Sequence, residues 1–430
     1  MAAGAGGGGL ALGAATRDAF AAFCRVHILL LSQFFHPEPI FKGLPFARGL
    51  MQRGHRVEVV TGFPNYPAGK IYPGYRLRAW QRETIEGVSL LRVPLFPSHD
   101  ASAVRRMLNY LTFAGSAAAA MPWLRSKPDV IYVYNLITLG PAARLARLLR
   151  GCRIVVDVQD LWPDSVASSG MLRSGPAHAV LKRWSVFEYS HADRLTVLSP
   201  GFKARLVAQG VPEKKIDVIY NWCDEIATGT DAAQRKRLRQ ELGFEERFNI
   251  VFAGTMGKVQ ALDAVLMAAA QIATRHPRVL FSFLGGGIEV ARLKARAAGM
   301  PNVQFLAQRS PAEALKVLEI ADALLVHLKD DPLFRITIPS KTQAYLFAGR
   351  PILMGVRGDA AELVQRAGAG LGFEPESPAS LVGAIESLLA LPEESRLEMA
   401  RRGRAFYDEH LSFARGLDRF ENVFRDALAA

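Results

Sequence analysis

Cysteine is scarce in this chain, with three residues among 430: Cys24, Cys152 and Cys223. Their wide spacing excludes a C-x-x-C metal site and a disulfide framework, and it indicates packed thiols in a cytosolic protein. Dense Lys and Arg stripes with interleaved aromatic residues are also absent, which argues against a protein that coats nucleic acid. Residues 1–24 are rich in Ala and Gly and lack a basic cluster before an apolar run, so we expect a disordered extension rather than a secretory signal.

The apolar content is high enough for two domains. Half of the residues are apolar and 22% are charged, and domains commonly hold roughly 100 to 200 residues. The formal net charge of +13 is distributed unevenly, because residues 1–200 contain 23 basic and 12 acidic groups whereas residues 201–430 contain 30 and 28. The positive excess therefore lies in the first half, which leaves an anionic surface or an acidic substrate open as its partner.

Strand-like and helix-like segments alternate along the chain. Residues 26–32 form a continuous apolar run, residues 44–53 are amphipathic and residues 57–61 are apolar again, which is the pattern of a βαβ unit. The alternation restarts after a polar, charged passage at 224–247. The sequence therefore predicts an α/β fold with two doubly wound domains.

The predicted domains are residues 25–224 and 225–411, and a helix at 412–430 is expected to pack back on the first domain. Ligands of open parallel sheets bind outside the carboxyl ends of the strands. Two such sheets facing each other would form the site in the cleft between them, so the strand-to-helix loops are the segments to inspect.

The loop F-A-G-T-M-G-K-V-Q at 252–260 follows a predicted strand and opens a helix. Gly254 and Gly257 permit close backbone approach, the helix start offers free N–H groups, and Lys258 adds a positive charge. This chemistry suits a diphosphate, although the spacing is that of neither a P-loop nor a Rossmann fingerprint. An ordinary glycine turn with a surface lysine is the alternative.

Two further segments of the second half suit the same ligand. Gly285 and Gly286, in a run of three glycines after a strand, would let the backbone approach a base or ribose, or would form a tight turn. Ser340 and Lys341 fall in the first turn of a predicted helix. A lysine there opposes the helix dipole, so an anionic ligand explains Lys341 better than stability does, with a solvated lysine as the alternative.

Long loops also follow the predicted strands of the first half. The loop at residues 33–43 is aromatic and ends at Gly43. In V-V-D-V-Q-D-L-W-P-D-S, Asp160 lies in a group of carboxylates beside Trp162, a combination suited to sugar hydroxyls. Asp164 has the alternative role of a helix N-cap.

One stretch of eighteen residues, 107–124, carries no charge and ends close to Trp123. Its length is at the limit for spanning a bilayer. A helix lying in the membrane interface fits its basic flanks, and a helix buried in the first domain is the alternative. The flanking basic residues are Arg105, Arg106, Arg125 and Lys127.

With these loops in place, the sequence resembles the retaining nucleotide-sugar glycosyltransferases of family 4, which have the GT-B fold of two Rossmann-like domains. The resemblance covers about residues 26–427 and is carried by R-G-H-R-V-E-V-V-T-G-F-P-N-Y-P, D-L-W-P-D-S, F-A-G-T-M-G-K-V-Q-A-L-D, I-P-S-K-T-Q-A-Y-L-F-A-G-R-P-I-L and G-D-A-A-E-L-V. More narrowly, F-K-G-L-P-F-A and Y-P-G-Y-R resemble the branch of O-antigen N-acetyl-L-fucosamine transferases and colanic acid biosynthesis glycosyltransferases.

The resemblance implies a UDP-sugar donor in the second domain, with its diphosphate near Gly254, Thr255, Lys258 and Lys341, and an acceptor in the first domain. It also implies that no metal or other cofactor is needed, because positive side chains and a helix dipole stabilise the leaving group. Retention is explained by front-face attack, in which the leaving phosphate accepts the acceptor proton, so no general base is assigned.

Some positions depart from the family pattern. Ala344 and Ile336 stand where many relatives carry two glutamates. Gln343 is expected to replace the contact to the ribose, and Arg335 to restore one near the sugar or the diphosphate. In addition, Thr255 replaces an arginine, which leaves Lys258 to carry that charge, and only Gly43 remains of a glycine pair. The expected catalytic residues are Lys258, Arg335, Lys341 and Asp160, and the expected donor-binding residues are Gly254, Thr255, Gly257, Gly285, Gly286, Ser340, Gln343 and Gly43.

The sequence therefore predicts a cytoplasmic enzyme associated peripherally with the inner face of a bacterial plasma membrane. It would move an N-acetylated amino or deoxy sugar from UDP to an undecaprenyl-diphosphate-linked acceptor, for lipopolysaccharide O-antigen or exopolysaccharide. The expected partners are the UDP-sugar, the polyprenyl-diphosphate-linked acceptor and an anionic membrane surface, without nucleic acid. A UDP-sugar 2-epimerase of the same fold and a non-catalytic partner that binds sugar nucleotide or lipid remain as alternatives.

Overall fold

The computed structural model describes residues 25–99, 102–162 and 176–430, so the predicted extension at 1–24 lies outside the described residues. The chain divides into two compact units, Met1–Val156 with Phe424–Ala430, and Asp157–Val423.

Eight strands form the first sheet, in the order β3-β4-β2-β1-β5-β6-β7-β8. Strands β1, β2, β4 and β5 pair in parallel, whereas β3 is antiparallel to β4. All five side chains of β1 are buried, and the four that follow His27 are apolar, as expected for a parallel strand covered on both faces. The strands are β1 His27–Leu31, β2 Arg56–Gly62, β3 Gln81–Ile85, β4 Val88–Val93, β5 Val130–Tyr134, β6 Arg153–Val158, β7 Arg194–Val197 and β8 Ile216–Val218, and the helices are α1 Leu44–Gln52, α2 Ala103–Ala120, α3 Gly140–Arg150, α4 Pro176–His191 and α5 Pro200–Ala208.

Six strands form the second sheet, in the order β11-β10-β9-β12-β13-β14, and its pairs are parallel. The register aligns the last residues of β9 and β10, Ala253 and Leu284, so the loops that follow these strands start side by side. The strands are β9 Phe248–Ala253, β10 Val279–Leu284, β11 Val303–Leu306, β12 Ala323–His327, β13 Ile352–Gly355 and β14 Gly370–Gly372, and the helices are α6 Ala232–Glu241, α7 Leu262–Ile272, α8 Val290–Arg296, α9 Pro311–Glu319, α10 Pro332–Arg335, α11 Ser340–Ala348, α12 Asp359–Arg366, α13 Pro378–Ala390 and α14 Glu393–His410.

The last helix, α15 Phe413–Ala429, packs through aromatic side chains. Its Phe420 meets the Trp222 ring edge to face at 6.5 Å, and its Phe424 meets Tyr132 of β5 in the same manner at 6.2 Å. Gly416 leaves room for Trp222, since a Cβ there would lie 2.4 Å from the indole ring.

The uncharged stretch at 107–124 forms most of α2 and the short 3-10 turn Met121–Trp123. One face of α2 is buried through Asn109, Phe113 and Ala117, while Val104 on the opposite face is 71% exposed. The helix therefore has one face in the core and one exposed face. Within the described ranges, every helix falls short of the length and apolar character that crossing a bilayer requires.

Candidate functional site

The loops after β9 and β10 are joined by backbone hydrogen bonds into one surface. Gly254 N–H donates to Leu284 O (2.9 Å), Met256 N–H donates to Gly286 O (2.7 Å), and Glu289 N–H donates to Met256 O (3.1 Å). The two predicted glycine loops are thus adjacent at the carboxyl ends of neighbouring strands, where open parallel sheets bind ligands.

Two of the three consecutive glycines are required for this packing. Gly285 has φ +132°, and a Cβ there would lie 2.3 Å from Gly254 O. Gly287 has φ +146°, and its Cβ would lie 2.3 Å from Met256 O. Gly286 has no positive φ, and its Cβ would meet only the end of the Gln308 side chain, at 3.2 Å. The first and third glycines therefore hold the loops together, whereas the second meets only the end of a flexible side chain.

A cavity of about 370 Å³ lies against this surface. Its size is within the range of small-molecule sites, and Thr255 borders it. The lining residues are Ala253, Gly254, Thr255, Leu284, Gly285, Gly286, Gly287, Gln308, Arg309 and Ala314.

Lys341, in the first turn of α11, directs its ammonium group toward the first loop. Its Nζ lies 3.6 Å from the centre of the Phe252 ring, and a Cβ on Gly254 would lie 3.6 Å from it. The residue as a whole is partly exposed, but Nζ itself is buried and has no hydrogen-bond partner among the described residues. A buried ammonium without a carboxylate is costly unless an anion joins it.

Burial lowers the pKa of Lys341 to about 7. Desolvation disfavours the charged form of an amine, and the positive end of the α11 dipole acts in the same direction. An anion bound beside Nζ would restore the charge, so the protonation of Lys341 and the binding of an anion are coupled.

Tyr345, one turn after Lys341, fixes α11 to the end of β9. Its hydroxyl accepts a hydrogen bond from Ala253 N–H (2.8 Å) and lies 3.3 Å from Ala253 O. Sequence reasoning missed this residue. The i, i+4 spacing from Lys341 places both side chains on one helix face, and this was the available signal.

Lys258 and Gly257 border a neighbouring cavity of about 650 Å³ rather than the first one. Lys258 is exposed and begins the 3-10 turn Lys258–Gln260, in which Gly257 N–H donates to Gln260 Oε1 (2.9 Å). His327, also missed from sequence, positions this turn, because its Nδ1 lies 2.7 Å from Gln260 O and its Nε2 accepts from Glu376 N–H (2.9 Å).

Arg335 is engaged by a carboxylate of its own chain. Its guanidinium donates to both oxygens of Asp330 (2.9 and 3.0 Å), and Arg357 donates to the same carboxylate (2.7 Å). The hydrogen bond to Asp330 raises the pKa of Arg335. The structure thus places this charge in a surface ion-pair network. Arg335 would have to leave Asp330 before it could contact the sugar donor.

Gln343 is buried and turned toward its own helix start. With its amide oriented to satisfy hydrogen bonds, its nitrogen donates to Pro339 O (2.9 Å) and Ser340 O (3.1 Å). The amide nitrogen is therefore occupied within α11, while Ser340 is exposed at the helix start.

Ile336, at a glutamate position of many relatives, packs against the start of α5. Its carbonyl accepts from Ser199 Oγ (2.5 Å), and nearby Gly201 N–H donates to Asp359 Oδ2 (2.7 Å). A Cβ on Gly201 would lie 2.4 Å from the Ile336 side chain.

The carboxylates near Asp160 differ in their surroundings. Asp157 is buried and accepts from Thr196 Oγ1 (2.7 Å) and Gln159 Nε2 (2.9 Å). It therefore links the carboxyl ends of β6 and β7. Asp160 is exposed. Asp164 lies outside the described residues.

The loop at 33–43 is organised by Glu38 rather than by Gly43. The buried Glu38 carboxylate accepts from the backbone N–H groups of Phe35 (3.0 Å), Asn65 (2.7 Å) and Tyr66 (2.7 Å), and burial raises its pKa. Gly43 precedes α1 as its N-cap residue. Across residues 25–99, 102–162 and 176–430, no group of three or more His, Cys, Asp or Glu side chains is arranged to hold a metal ion.

Two family models match the chain in sequence. One, described as "Glycosyl transferase 4-like domain", matches residues 44–222, and the other, "Glycosyl transferases group 1", matches residues 234–406. Between them they cover most of both predicted domains, although β1 lies before the first match.

Individual proteins are similar over most of their length. The Escherichia coli (strain K12) protein named "Putative colanic acid biosynthesis glycosyl transferase WcaI" is 28% identical over 360 residues, 80% of this chain and 87% of that protein. A sucrose-phosphate synthase from Thermosynechococcus elongatus has 16% identity and a TM-score of 0.68, over 94% of this chain and 100% of the other. Anabaena Alr3699/HepE in complex with UDP-glucose has 16% identity and a TM-score of 0.60, also over 94% and 100%. The structural likeness confirms the predicted fold of two parallel-sheet α/β domains.

Proposed function

Because the chain belongs to the family 4 glycosyltransferases, enzymes with the GT-B fold, we propose that it transfers a sugar from a UDP-linked donor with retention of anomeric configuration. The donor would bind at the joined loops after β9 and β10. Its diphosphate would lie beside Lys341, and its uridine would occupy the cavity of about 370 Å³.

The observation that carries this proposal is the buried ammonium of Lys341 beside Gly254, which has no hydrogen-bond partner in the described part of the chain. Such a group favours an anion, and the adjacent glycine loop and helix start offer backbone N–H groups suited to phosphate oxygens. The Anabaena structure with UDP-glucose supports UDP as the nucleotide on the same fold.

The resemblance to the retaining family 4 enzymes implies how the reaction would proceed at this site. The bond between the anomeric carbon and the diphosphate oxygen breaks while the acceptor oxygen bonds to the same face of the sugar, and the leaving phosphate takes the acceptor proton. The Lys341 ammonium and the positive end of α11 stabilise the charge that develops on the diphosphate. We therefore assign leaving-group stabilisation to these groups, without a metal ion and without an enzymic general base.

We assign the sugar as an N-acetylated amino or deoxy sugar, and the acceptor as an undecaprenyl-diphosphate-linked saccharide of a bacterial surface polysaccharide. The motifs F-K-G-L-P-F-A and Y-P-G-Y-R support this choice, as does the relative named for colanic acid biosynthesis.

Incubation with a panel of UDP-sugars and an undecaprenyl-diphosphate-linked saccharide is expected to release UDP with one donor and to yield a product with the donor's anomeric configuration. UDP release by coupled assay and product configuration by NMR are the measurements. Absence of UDP release with the whole panel would contradict transfer, and conversion of a UDP-sugar without acceptor would identify an epimerase instead.

We further propose that the first sheet's helix α2 lies against the inner face of a bacterial plasma membrane. Its outer face carries Val104, Leu108 and Leu111, and beyond it Trp123 is 70% exposed. A groove of about 530 Å³ lies between Trp123 and Trp80, which is 64% exposed. An apolar groove of this kind suits part of the acceptor's isoprenoid chain, and exposed tryptophans are typical of membrane interfaces.

Changing Arg105, Arg106, Arg125 and Lys127 to glutamine is expected to weaken binding to vesicles containing phosphatidylglycerol by at least about tenfold, since each basic residue near an anionic surface contributes about 1 kcal/mol. Vesicle co-sedimentation at low and high salt is the measurement. Binding that ignored both the substitutions and the salt would contradict the charge contribution.

A second pair of variants separates the apolar contribution from charge. The double change Trp80→Ser and Trp123→Ser should weaken vesicle binding, because it removes the two exposed indoles. Leu148→Ser is the matched control, since Leu148 is 81% exposed on α3 and lies outside the groove-lining set. Equal loss in both variants would show that α2 and its groove are not the contact surface.

A further inference from the structure

A further cavity, of about 670 Å³, lies at the amino-terminal ends of strands of the second sheet, away from the glycine loops at their carboxyl ends. It is bordered by the first residues of β9 and β10, Phe248 and Val279, and by residues that immediately precede β12 and β13, Asp322 and Pro351. The proposed donor site lies at the carboxyl ends of these strands, so this cavity is separate from it. Six arginines line the cavity: Arg239, Arg247, Arg275, Arg278, Arg350 and Arg396.

Backbone carbonyls hold several of these guanidinium groups in place. Arg239 donates to Ile320 O (2.6 Å), Arg278 donates to Glu246 O (2.5 Å), and Arg350 donates to Glu319 O. Carbonyl oxygens satisfy and orient N–H groups, but they carry no net charge. The hydrogen bonds therefore order the arginines without neutralising them.

The acidic residues at the cavity compensate only part of this charge. Three carboxylates line it, those of Glu246, Asp322 and Glu393, and the carboxylate of Glu386 pairs with Arg275 (2.8 Å), against six guanidinium groups. Asp322 also accepts from Asn249 N–H (2.8 Å) and lies 3.7 Å from Arg239. A positive excess enclosed in one cavity attracts an anion with more than one charge.

Arg350 is the most constrained of the six. It lies between Gly349, which ends α11, and Pro351, and its Nε is buried without a hydrogen-bond partner among the described residues. Burial lowers the pKa of Arg350, which means that its present surroundings do not fully stabilise the guanidinium charge. An oxyanion bound in the cavity would add negative charge near this guanidinium group.

We propose that this cavity binds a small phosphorylated metabolite carrying at least two phosphate groups. A guanidinium group can donate two parallel hydrogen bonds to two oxygens of one phosphate. The volume of the cavity is that of a site for a small organic molecule. Phe248 and Leu397 line part of the cavity with apolar surface, which would contact the carbon skeleton of the metabolite. The inference is independent of the proposed transfer reaction, because no residue of the glycine loops takes part in it.

Tripolyphosphate is the probe, titrated calorimetrically at low salt into the full chain carrying Lys341→Ala, so that binding at the glycine loops does not contribute. We expect saturable binding that weakens with salt. Adding Arg247→Gln and Arg278→Gln, both exposed positions, should weaken it at least about tenfold. Adding Arg401→Gln instead should leave it unchanged, since Arg401 is an exposed arginine of α14 that pairs with Glu394 and Glu398.

Thermal unfolding of each variant shows whether it is folded, and the single change Arg247→Gln replaces the double variant if that one unfolds. Loss of binding in the cavity variant with retention in the Arg401 variant supports the site. Absence of tripolyphosphate binding in the Lys341→Ala protein, or equal affinity in the cavity and control variants, would overturn it. Either negative result leaves UDP release in the transfer assay unaffected, so the two proposals fail separately.

Discussion

Replacing Lys341 with alanine is expected to reduce turnover of the UDP-sugar by about 100-fold, the usual cost of losing one preorganised group that stabilises developing negative charge. The ammonium is already buried beside Gly254, so no solvent rearrangement is needed as the diphosphate leaves. UDP affinity should fall in the same variant. Steady-state UDP release and calorimetric titration with UDP are the measurements.

Two other lysines provide the comparison. Lys294 also lies over a phenylalanine ring, at 5.9 Å from the centre of Phe305, but it is exposed on α8, so Lys294→Ala should leave turnover unchanged. Lys258→Ala should reduce turnover less than Lys341→Ala, because Lys258 is exposed and borders the neighbouring cavity. Wild-type turnover in the Lys341→Ala protein would remove this residue from the reaction.

Gly287→Ala is expected to disrupt the donor site more severely than any surface change. The new Cβ would lie 2.3 Å from Met256 O. In addition, a φ of +146° lies in a region essentially restricted to glycine, where backbone strain costs another residue about 1–3 kcal/mol before any clash. The loops after β9 and β10 should separate. We expect a free energy of unfolding lowered by at least about 2 kcal/mol, measured in urea, and loss of detectable UDP binding.

Gly286→Ala is the matched control for this change. It adds the same methyl group one residue earlier, where the backbone has no positive φ and the nearest atom is the end of the Gln308 side chain. Its free energy of unfolding should stay close to that of wild type. If both variants lost the same stability, the hydrogen-bonded junction of the two loops would not be the feature that fixes the site.

Much of the site was predictable because its signals are local. A glycine run after an apolar strand and a lysine in a helix first turn are visible within a few residues, and the parallel register then brings Gly254, Gly285 and Lys341 together. The fold was predictable for the same reason, since buried parallel strands such as β1 are largely apolar.

The partners of Arg335 and Gln343 were not predictable in this way. Whether a guanidinium points to a ligand or to Asp330 depends on the path of a short loop, and both choices satisfy the same sequence pattern. Gln343 faces its own helix start because burial leaves the amide no water, so it bonds to the nearest carbonyls. Apolar periodicity alone also could not show that α2 leaves an apolar face exposed, since that depends on what covers it.

The measurement that tests the central claim most directly is proton uptake on UDP binding at about pH 8.5. At this pH a lysine with a pKa near 7 is mostly neutral. The terminal phosphate of UDP, with a pKa of about 6, is already ionised. Titrations in two buffers of different ionisation enthalpy give the number of protons taken up. Because bound diphosphate favours the ammonium form, binding should take up close to one proton in the wild type, and UDP affinity should weaken as the pH rises above 7. The Lys341→Arg protein, charged at every such pH, should take up none. Binding of UDP by the wild type without proton uptake would contradict the placement of the diphosphate at Lys341.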